Sequence, residues 1–126
     1  GTGIGLATLR QDGFVSVGTD GKGTLTTRRI IVIGDTLVIN ANAKGGSIRV
    51  EAVDALGRVI KGFSQMECQP MTGDRVRHVV TWKARANCHP LQARPIQLRF
   101  HIKNAQLFGF EFQIRHNHFV PVSYSQ

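Results

Sequence analysis

Two carboxylates facing each other across a cleft would make a glycosidase, and any acid–base enzyme needs titratable groups in a shared pocket. The chain has eight acidic residues. Its aspartates occur in predicted turns, where the side chain bonds its own backbone; these are Asp12, Asp20, Asp35, Asp54 and Asp74. Glu51 and Glu111 are predicted to lie on the solvent faces of strands among basic residues, which predicts cross-strand charge pairing. The acids therefore predict no catalytic pair and no enzymatic activity for this chain by itself.

Histidine and glycine motifs provide the other candidates for cofactor chemistry. His116 and His118 have the H-x-H spacing that points two imidazoles the same way along a strand, but no third metal ligand accompanies them. The segment Gly18–Gly23 lacks the helix and the G-K-[ST] element of a phosphate-binding loop, so it predicts a turn. Asp20 in this turn, together with backbone oxygens, could bind a structural Ca²⁺ ion. No other cofactor is expected.

Sugar binding requires a flat aromatic surface beside hydrogen-bonding side chains, because a pyranose has an apolar face and a hydroxylated rim. Trp82 ends a predicted strand, where its ring could project as a platform, although the valines in phase with it argue for a core position. A polar row over residues 97–103 is predicted to lie beside a second row over residues 111–115. The arginine guanidinium groups in these rows can bond two oxygens of a carboxylate or sulfate, which favours acidic glycans as ligands. The alternative interpretation is that the two rows form a solvated sheet face without a ligand. The predicted ligand-binding residues are Trp82, Arg99, His101, Lys103, Gln113 and Arg115.

Alternation of apolar and polar residues predicts the strands that position these rows. In Pro95–Lys103 the apolar positions are Ile96, Leu98, Phe100 and Ile102. In the following run they are Phe108, Phe110, Phe112 and Ile114. Because successive strand residues point to opposite faces, each run places one face in a core and the other in solvent or against a ligand. Two consecutive strands of this kind are typical of a sandwich rather than of a βαβ unit.

Earlier segments repeat the strand pattern. Strands are predicted over residues 36–41, 47–54 and 74–82. In the last of these, Val76 is in phase with the other core positions, and His78 is a candidate for burial. Only residues 83–91 could hold a helical turn, which Pro90 limits. The chain therefore predicts an all-β fold of about nine or ten short strands, an antiparallel β-sandwich or jelly roll.

Length and charge bound the domain organisation and the class of partner. The 126 residues predict a single domain over residues 1–126, and the opening Gly1-Thr2-Gly3 indicates a piece excised from a longer protein. A net charge of +8 favours anionic partners, although the basic residues are scattered along the chain. The sequence has no recognition helix, zinc finger or basic stripe interleaved with aromatics, which argues against nucleic acid. The longest apolar stretch, Ile30–Ile33, is too short to span a membrane.

The two cysteines, Cys68 and Cys88, leave the redox state open. They form either two buried thiols or one disulfide that links the segments around them, and a disulfide would suit an exported protein. The sequence does not fix the location of the protein, and a secreted or extracellular location is favoured.

A series of strand-and-turn motifs resembles a known module. The motifs are Asp12-Gly13-Phe14-Val15-Ser16, Gly23-Thr24-Leu25-Thr26-Thr27, Leu37-Val38-Ile39-Asn40-Ala41, Ile48-Arg49-Val50-Glu51, Gly57-Arg58-Val59-Ile60-Lys61-Gly62-Phe63 and Leu98-Arg99-Phe100. They are similar to the β-sandwich at the C-terminal end of multidomain proteins of the family 32 type and related propeller-type glycoside hydrolases. The resemblance covers Leu6 to Phe112, and it implies an accessory domain packed on a catalytic propeller. In such proteins the catalytic acids lie on the propeller, so the resemblance implies no active-site residue here.

These observations predict a non-catalytic, carbohydrate-binding accessory module with a preference for acidic glycans. Its expected partners are a polysaccharide or oligosaccharide and the neighbouring catalytic domain of the parent chain. The alternative is a purely structural β-sandwich that stabilises or assembles its parent protein, and it predicts an apolar patch at the docking surface. An exposed Trp82 would favour the first hypothesis and a buried Trp82 the second.

Overall fold

The strands of this chain form one antiparallel arrangement without an α-helix in the part of the chain that is described. A computed structural model describes residues 7–8, 16–17, 21–83 and 88–115. The strands are β1 (Ala7–Thr8), β2 (Ser16–Val17), β3 (Lys22–Thr26), β4 (Ile30–Ile31), β5 (Thr36–Val53), β6 (Met71–Val79), β7 (Pro95–Lys103) and β8 (Gln106–Gln113). A 3-10 turn, His89–Leu91, precedes β7. The all-β, antiparallel prediction is thereby confirmed, and the described residues include no helix with the length and apolar composition that a membrane crossing requires.

Strand β5 organises the sheet because it is 18 residues long and pairs with three other strands. Pairing links the strands in the series β1-β8-β5-β7-β3-β2, and in addition β4 pairs with β7 and β6 pairs with β5. The sequence predicted two separate strands here, over residues 36–41 and 47–54, with a break between them. The structure instead runs one strand through this break, which contains Gly45 and Gly46.

Strands β7 and β8 pair one after the other with the same edge of β5. Lys103 at the end of β7 is opposite Ser47, and Gln106 at the start of β8 is opposite Asn42. Strand β6 pairs with the same stretch of β5 as β8 does, so it must occupy the other edge, and Ile48 pairs with both β6 and β7. The expectation that the last two strands lie side by side is therefore wrong, because they lie end to end.

The core lies against the apolar faces of β3, β5, β7 and β8. The alternation predicted for β7 is confirmed, with buried positions at Ile96, Leu98, Phe100 and Ile102. The rings of Phe100 in β7 and Phe110 in β8 lie 5.5 Å apart between centroids. Since these two strands follow each other along β5, this ring contact requires the sheet to bend between them and fold both apolar faces onto one core.

Two β-bulges opposite Asn40 shift the alternation and correct two predicted core positions. Along β8 the register passes from Asn40 opposite Gly109 to Ala41 opposite Leu107, so Phe108 is an additional residue and is 52% exposed. Along β6 the register passes from Ile39 opposite His78 to Ala41 opposite Arg75, and Val76 is 72% exposed. His78 is buried as predicted, and its Nε2 lies 3.1 Å from the backbone oxygen of Ala41.

The cysteines are two buried thiols and not a disulfide. The Sγ of Cys68 accepts a hydrogen bond from the Val50 backbone N–H at 3.3 Å, next to the middle of the core. The backbone N–H of Cys88 donates instead to the backbone oxygen of Asp35 at 2.7 Å. The two sulfurs therefore belong to different neighbourhoods of the fold.

Candidate anion-binding depression

The polar face of β7 lies between the polar faces of β3 and β5. Thr24, His101 and Arg49 form one row across the three strands. Lys22, Lys103 and Ser47 form the next row. Residues opposite each other in paired strands point to the same face, with strands about 4.8 Å apart and alternate residues about 7 Å apart. The two rows therefore make one continuous polar surface.

This surface is hollowed into an open depression of about 690 Å³. Its polar lining side chains include Lys22, Thr24, Arg49, Gln65, His101 and Lys103. No Asp or Glu is among the described residues that line it. We call this feature the basic depression, and its charge makes it a candidate site for an anionic group.

Glu51 is the carboxylate nearest to the basic depression along β5, and its charge is already matched. Its side chain is only 7% exposed, and its Oε1 lies 2.9 Å from both Nη1 of Arg99 and Nε2 of His101. Burial raises the pKa of Glu51, but the hydrogen bonds from His101 and Arg99 outweigh burial, and the pKa lies below the usual glutamate value. With Glu51 ionised, the Nε2 of His101 must be the donor.

The cross-strand pairing predicted for Glu51 is confirmed, since Glu51 is directly opposite Arg99. The expectation that Glu51 lies on a solvated face is wrong, because the residue is buried. This pairing also changes the role of Arg99. Its guanidinium is bonded to a carboxylate of the same sheet and does not line the basic depression, so His101 and Lys103 are the predicted ligand-binding residues that do.

Arg49 carries the one buried side-chain nitrogen or oxygen without a hydrogen-bond partner in the described part of the chain. This atom is Nε. Arginine is charged at all ordinary pH values and all its nitrogens are donors, so a buried Nε–H without an acceptor is unfavourable. The side chain of Arg49 lines the basic depression.

Close backbone packing fixes the end of β7 that carries Lys103. The backbone N–H of Asn104 donates to the oxygen of Gly21 at 2.9 Å, and Asn104 has a φ of 46°. Gly46 of β5 lies so close to the backbone of Lys103 and Asn104 that a β-carbon at residue 46 would overlap their backbone oxygens. A glycine is therefore needed at residue 46 for the strands to meet beside the basic depression.

Gln113 and Arg115 lie apart from the basic depression, at the far end of β8. The Nε of Arg115 donates to Oε1 of Gln113 at 2.6 Å, and Nε2 of Gln113 donates to Oε1 of Glu111 at 2.5 Å. The backbone N–H of Arg115 donates to Oδ1 of the buried Asp35 at 3.0 Å. The predicted groove between two neighbouring polar rows is therefore corrected, because β7 and β8 meet end to end and do not lie side by side.

Trp82 belongs to the core, and the prediction that its ring is a sugar platform is wrong. The residue is 3% exposed, and its Nε1–H donates to the backbone oxygen of Val50 at 2.9 Å. Its ring packs edge-on against Phe63, with centroids 4.9 Å apart and planes inclined by 70°. Of the two valines whose spacing argued for a core position, Val80 is buried and Val76 is exposed, so only Val80 supported the correct interpretation.

Sequence reasoning missed five polar residues of the basic depression: Lys22, Thr24, Ser47, Arg49 and Gln65. Arg49 is at a polar position of an alternating strand, so the sequence predicts that its side chain lies on the polar face of that strand. The sequence does not predict its position beside His101, because these residues come from strands that are far apart in the chain. Lys22 belonged to a glycine-rich segment that predicted only a turn, and no pattern in the sequence indicated Gln65.

Metal ligands do not cluster in the described part of the chain. Among those residues, no group of three or more His, Cys, Asp or Glu side chains is placed to share an ion. The H-x-H pair, His116 and His118, and the candidate Ca²⁺ ligand Asp20 lie outside the described residues.

Comparison of the chain with protein-family models, with curated proteins and with solved structures gives no match.

Proposed function

We propose that this chain is a non-catalytic accessory β-sandwich of a carbohydrate-active protein, and that it contacts acidic glycans weakly through the basic depression. The single observation that carries the proposal is the row arrangement of Arg49, His101 and Lys103 on one hollowed sheet face. The bend that brings Phe100 against Phe110 supports the sandwich interpretation, because it folds two parts of the sheet around one core.

The chemistry of the basic depression favours an acidic glycan over a neutral one. A neutral sugar depends on stacking with exposed aromatic rings, and none of the described lining residues is Phe, Tyr or Trp. An acidic glycan supplies carboxylate or sulfate groups for the cations, while its hydroxyls can bond Thr24, Ser47 and Gln65. The depression is open, so the contact is expected to be weak and to depend on salt.

A purely structural role is the second candidate, and two observations favour it. Trp82 is buried, which removes the expected aromatic platform. Four large apolar side chains are exposed at the end of the fold where β7 begins; they are Ile31, Ile33, Leu56 and Val59. Ile31 is opposite Pro95 in the β4–β7 pair, and Val59 bridges to Val53, whose partner in β7 is Gln97. Exposed apolar patches of this kind are typical of docking surfaces.

Affinity electrophoresis tests the proposal. The domain is run through gels that contain neutral or acidic polysaccharides at low and moderate salt, beside Lys103→Gln and the matched variant Lys61→Gln in an exposed turn. Retardation by an acidic polysaccharide that survives moderate salt, and that Lys103→Gln alone weakens, supports the proposal. Equal retardation by every polyanion that vanishes with salt contradicts specific glycan binding, and so does no retardation at all. Both outcomes leave the structural role as the better account.

A further inference from the structure

We propose that the basic depression is a site for a tetrahedral oxyanion, presented by the sulfate ester of a glycan, and that the Nε–H of Arg49 is its central donor. The proposal rests on the proposed function for the source of the sulfate, while the oxyanion site itself stands on the geometry alone. Sequence reasoning gave Arg49 no role, and the function proposed above uses the charge of Arg49 but not its Nε–H.

The first step of the argument is the buried Nε of Arg49. This N–H is almost completely removed from solvent and has no acceptor within the described chain. A donor in this condition destabilises the fold unless an external acceptor bonds it. The Nε and one Nη of a guanidinium lie parallel on one side, where they can bond two oxygens of the same oxyanion. Arg49 therefore has an unused donor for an anion that binds in the basic depression.

The second step concerns the shape of the anion. Donors converge on the basic depression from three strands: Thr24 from β3, Arg49 from β5 and Lys103 from β7. A carboxylate offers two oxygens in one plane. A sulfate ester offers three terminal oxygens that point in different directions, so each of the three strands can supply a donor to its own oxygen. This arrangement favours sulfate over carboxylate.

The third step concerns the charge that faces the anion. Glu51 lies two residues from Arg49 on the same face of β5, where a free carboxylate would repel an anion. Its Oε1 is bonded by Arg99 and by His101, both at 2.9 Å, which neutralises it locally. Arg49 and Lys103 then act on the anion without a competing carboxylate among the described lining residues.

Titration of the folded domain with inorganic sulfate, followed by NMR chemical shifts, tests the oxyanion site. Arg49→Lys keeps the charge but removes the Nε–H, and we expect it to weaken sulfate binding by about tenfold or more. The matched control is Arg75→Lys on the exposed face of β6, which should bind sulfate as the unmodified chain does. Equal sulfate affinity in Arg49→Lys and Arg75→Lys would overturn the proposal. Acetate that binds as tightly as sulfate would overturn the preference for a tetrahedral anion.

The proposed function and the oxyanion site can fail separately. Sulfated dextran, unmodified dextran and polygalacturonate are compared by gel retardation, with Arg49→Lys and with the exposed variant Lys103→Gln as a second probe. We expect retardation by sulfated dextran that both variants weaken. Retardation that neither variant changes keeps the glycan function and overturns the oxyanion site. If sulfate binds through Arg49 but no polysaccharide is retarded, the oxyanion site stands and a glycan as its ligand is ruled out. Tighter binding of duplex DNA than of sulfated dextran would have the same meaning.

Discussion

Trp82 donates its indole N–H to the backbone oxygen of Val50 at 2.9 Å, across 32 residues of sequence. The same part of the chain is joined a second time, because Cys68 pairs with Trp82 in an isolated β-bridge and accepts a hydrogen bond from the Val50 N–H. Trp82 and its backbone neighbours thus help to hold the excursion between β5 and β6 against the second half of β5, beside the backbone hydrogen bonds that join Ala52 to Ile60 and Phe63. This relationship makes Trp82 a structural residue.

We expect Trp82→Ala to lower the free energy of unfolding by about 3–5 kcal/mol, because it opens a cavity and orphans the Val50 oxygen. Trp82→Phe should cost about 1–3 kcal/mol, since it keeps most of the ring contact with Phe63 but loses the hydrogen bond. Urea unfolding measures both. The exposed variant Met66→Ala should stay within about 0.5 kcal/mol of the unmodified chain. Loss of polysaccharide retardation in folded Trp82→Phe, without loss of stability, would contradict the core assignment.

Glu51 should make stability depend on pH in the acidic range. Its pKa in the folded chain lies below the ordinary value of 4.5, so its contribution is complete above that pH and is lost as the pH falls through the folded pKa. Glu51→Gln should cost about 1–3 kcal/mol at neutral pH, because it breaks the pair with Arg99 and His101. Urea midpoints measured from pH 7 down to pH 3 should show the variant and the unmodified chain converging at low pH. Asp74→Asn, at an exposed residue, is the control, and a constant gap for Glu51→Gln across this range would refute the assignment.

The buried thiols should resist both oxidation and alkylation. Burial raises the pKa of Cys68 from 9.0 to about 11 and that of Cys88 from 9.0 to about 12, so neither is a thiolate near neutral pH. Labelling with a thiol reagent should be slow in the folded chain and rapid in urea, and a reducing agent should leave the melting temperature unchanged. Because the folded pKa values are raised, stability should fall as the pH rises from about 9 towards 12. Fast labelling of the folded chain at pH 7 would show that the thiols are accessible.

Gly46→Ala should destabilise the chain by about 3 kcal/mol, at the upper end of overpacking effects, because its methyl group overlaps the backbone of Lys103 and Asn104. Gly45→Ala is the matched control: its φ is 81° but a β-carbon there meets nothing within 4 Å, so only about 1 kcal/mol is expected. Chemical unfolding compares the two variants. A folded Gly46→Ala chain should also bind sulfate less well, since the end of β7 must move. Equal stability of the two variants would mean that β5 and β7 do not meet this closely.

The alternation of apolar and polar residues predicted the class of fold. It gave wrong buried positions where a β-bulge shifted the alternation by one residue. Strand β7 is regular, so its buried and exposed positions followed directly from residue type. Phe108 and Val76 were predicted to be buried, but bulges opposite Asn40 turn both outward. A bulge is the insertion of one residue relative to a partner strand, so it cannot be recognised before the partner and the register are known.

The candidate site was predictable only in part, because its residues come together through strand pairings that the sequence does not reveal. His101 and Lys103 were identified from one strand, because their alternation with Phe100 and Ile102 places them on the polar face. Arg49 became their neighbour through the pairing of β5 with β7, which no local pattern specifies. Trp82 was ambiguous because an aromatic residue at a strand end can enter a core or project from it, and the backbone acceptor at Val50 decides between the two.

The arrangement of β7 and β8 along one edge of β5 has a consequence for synthesis of the chain. Strand β5 ends at Val53, whereas the strands that cover that edge begin only at Pro95 and end at Gln113. Until those residues leave the ribosome, an 18-residue strand rich in valine, isoleucine and alanine has one edge without its native partners. Such high contact order slows folding and lengthens the exposure of an adhesive edge. A nascent chain stalled before Pro95 should therefore be a substrate for chaperones, and a fragment that ends there should aggregate instead of forming part of the domain.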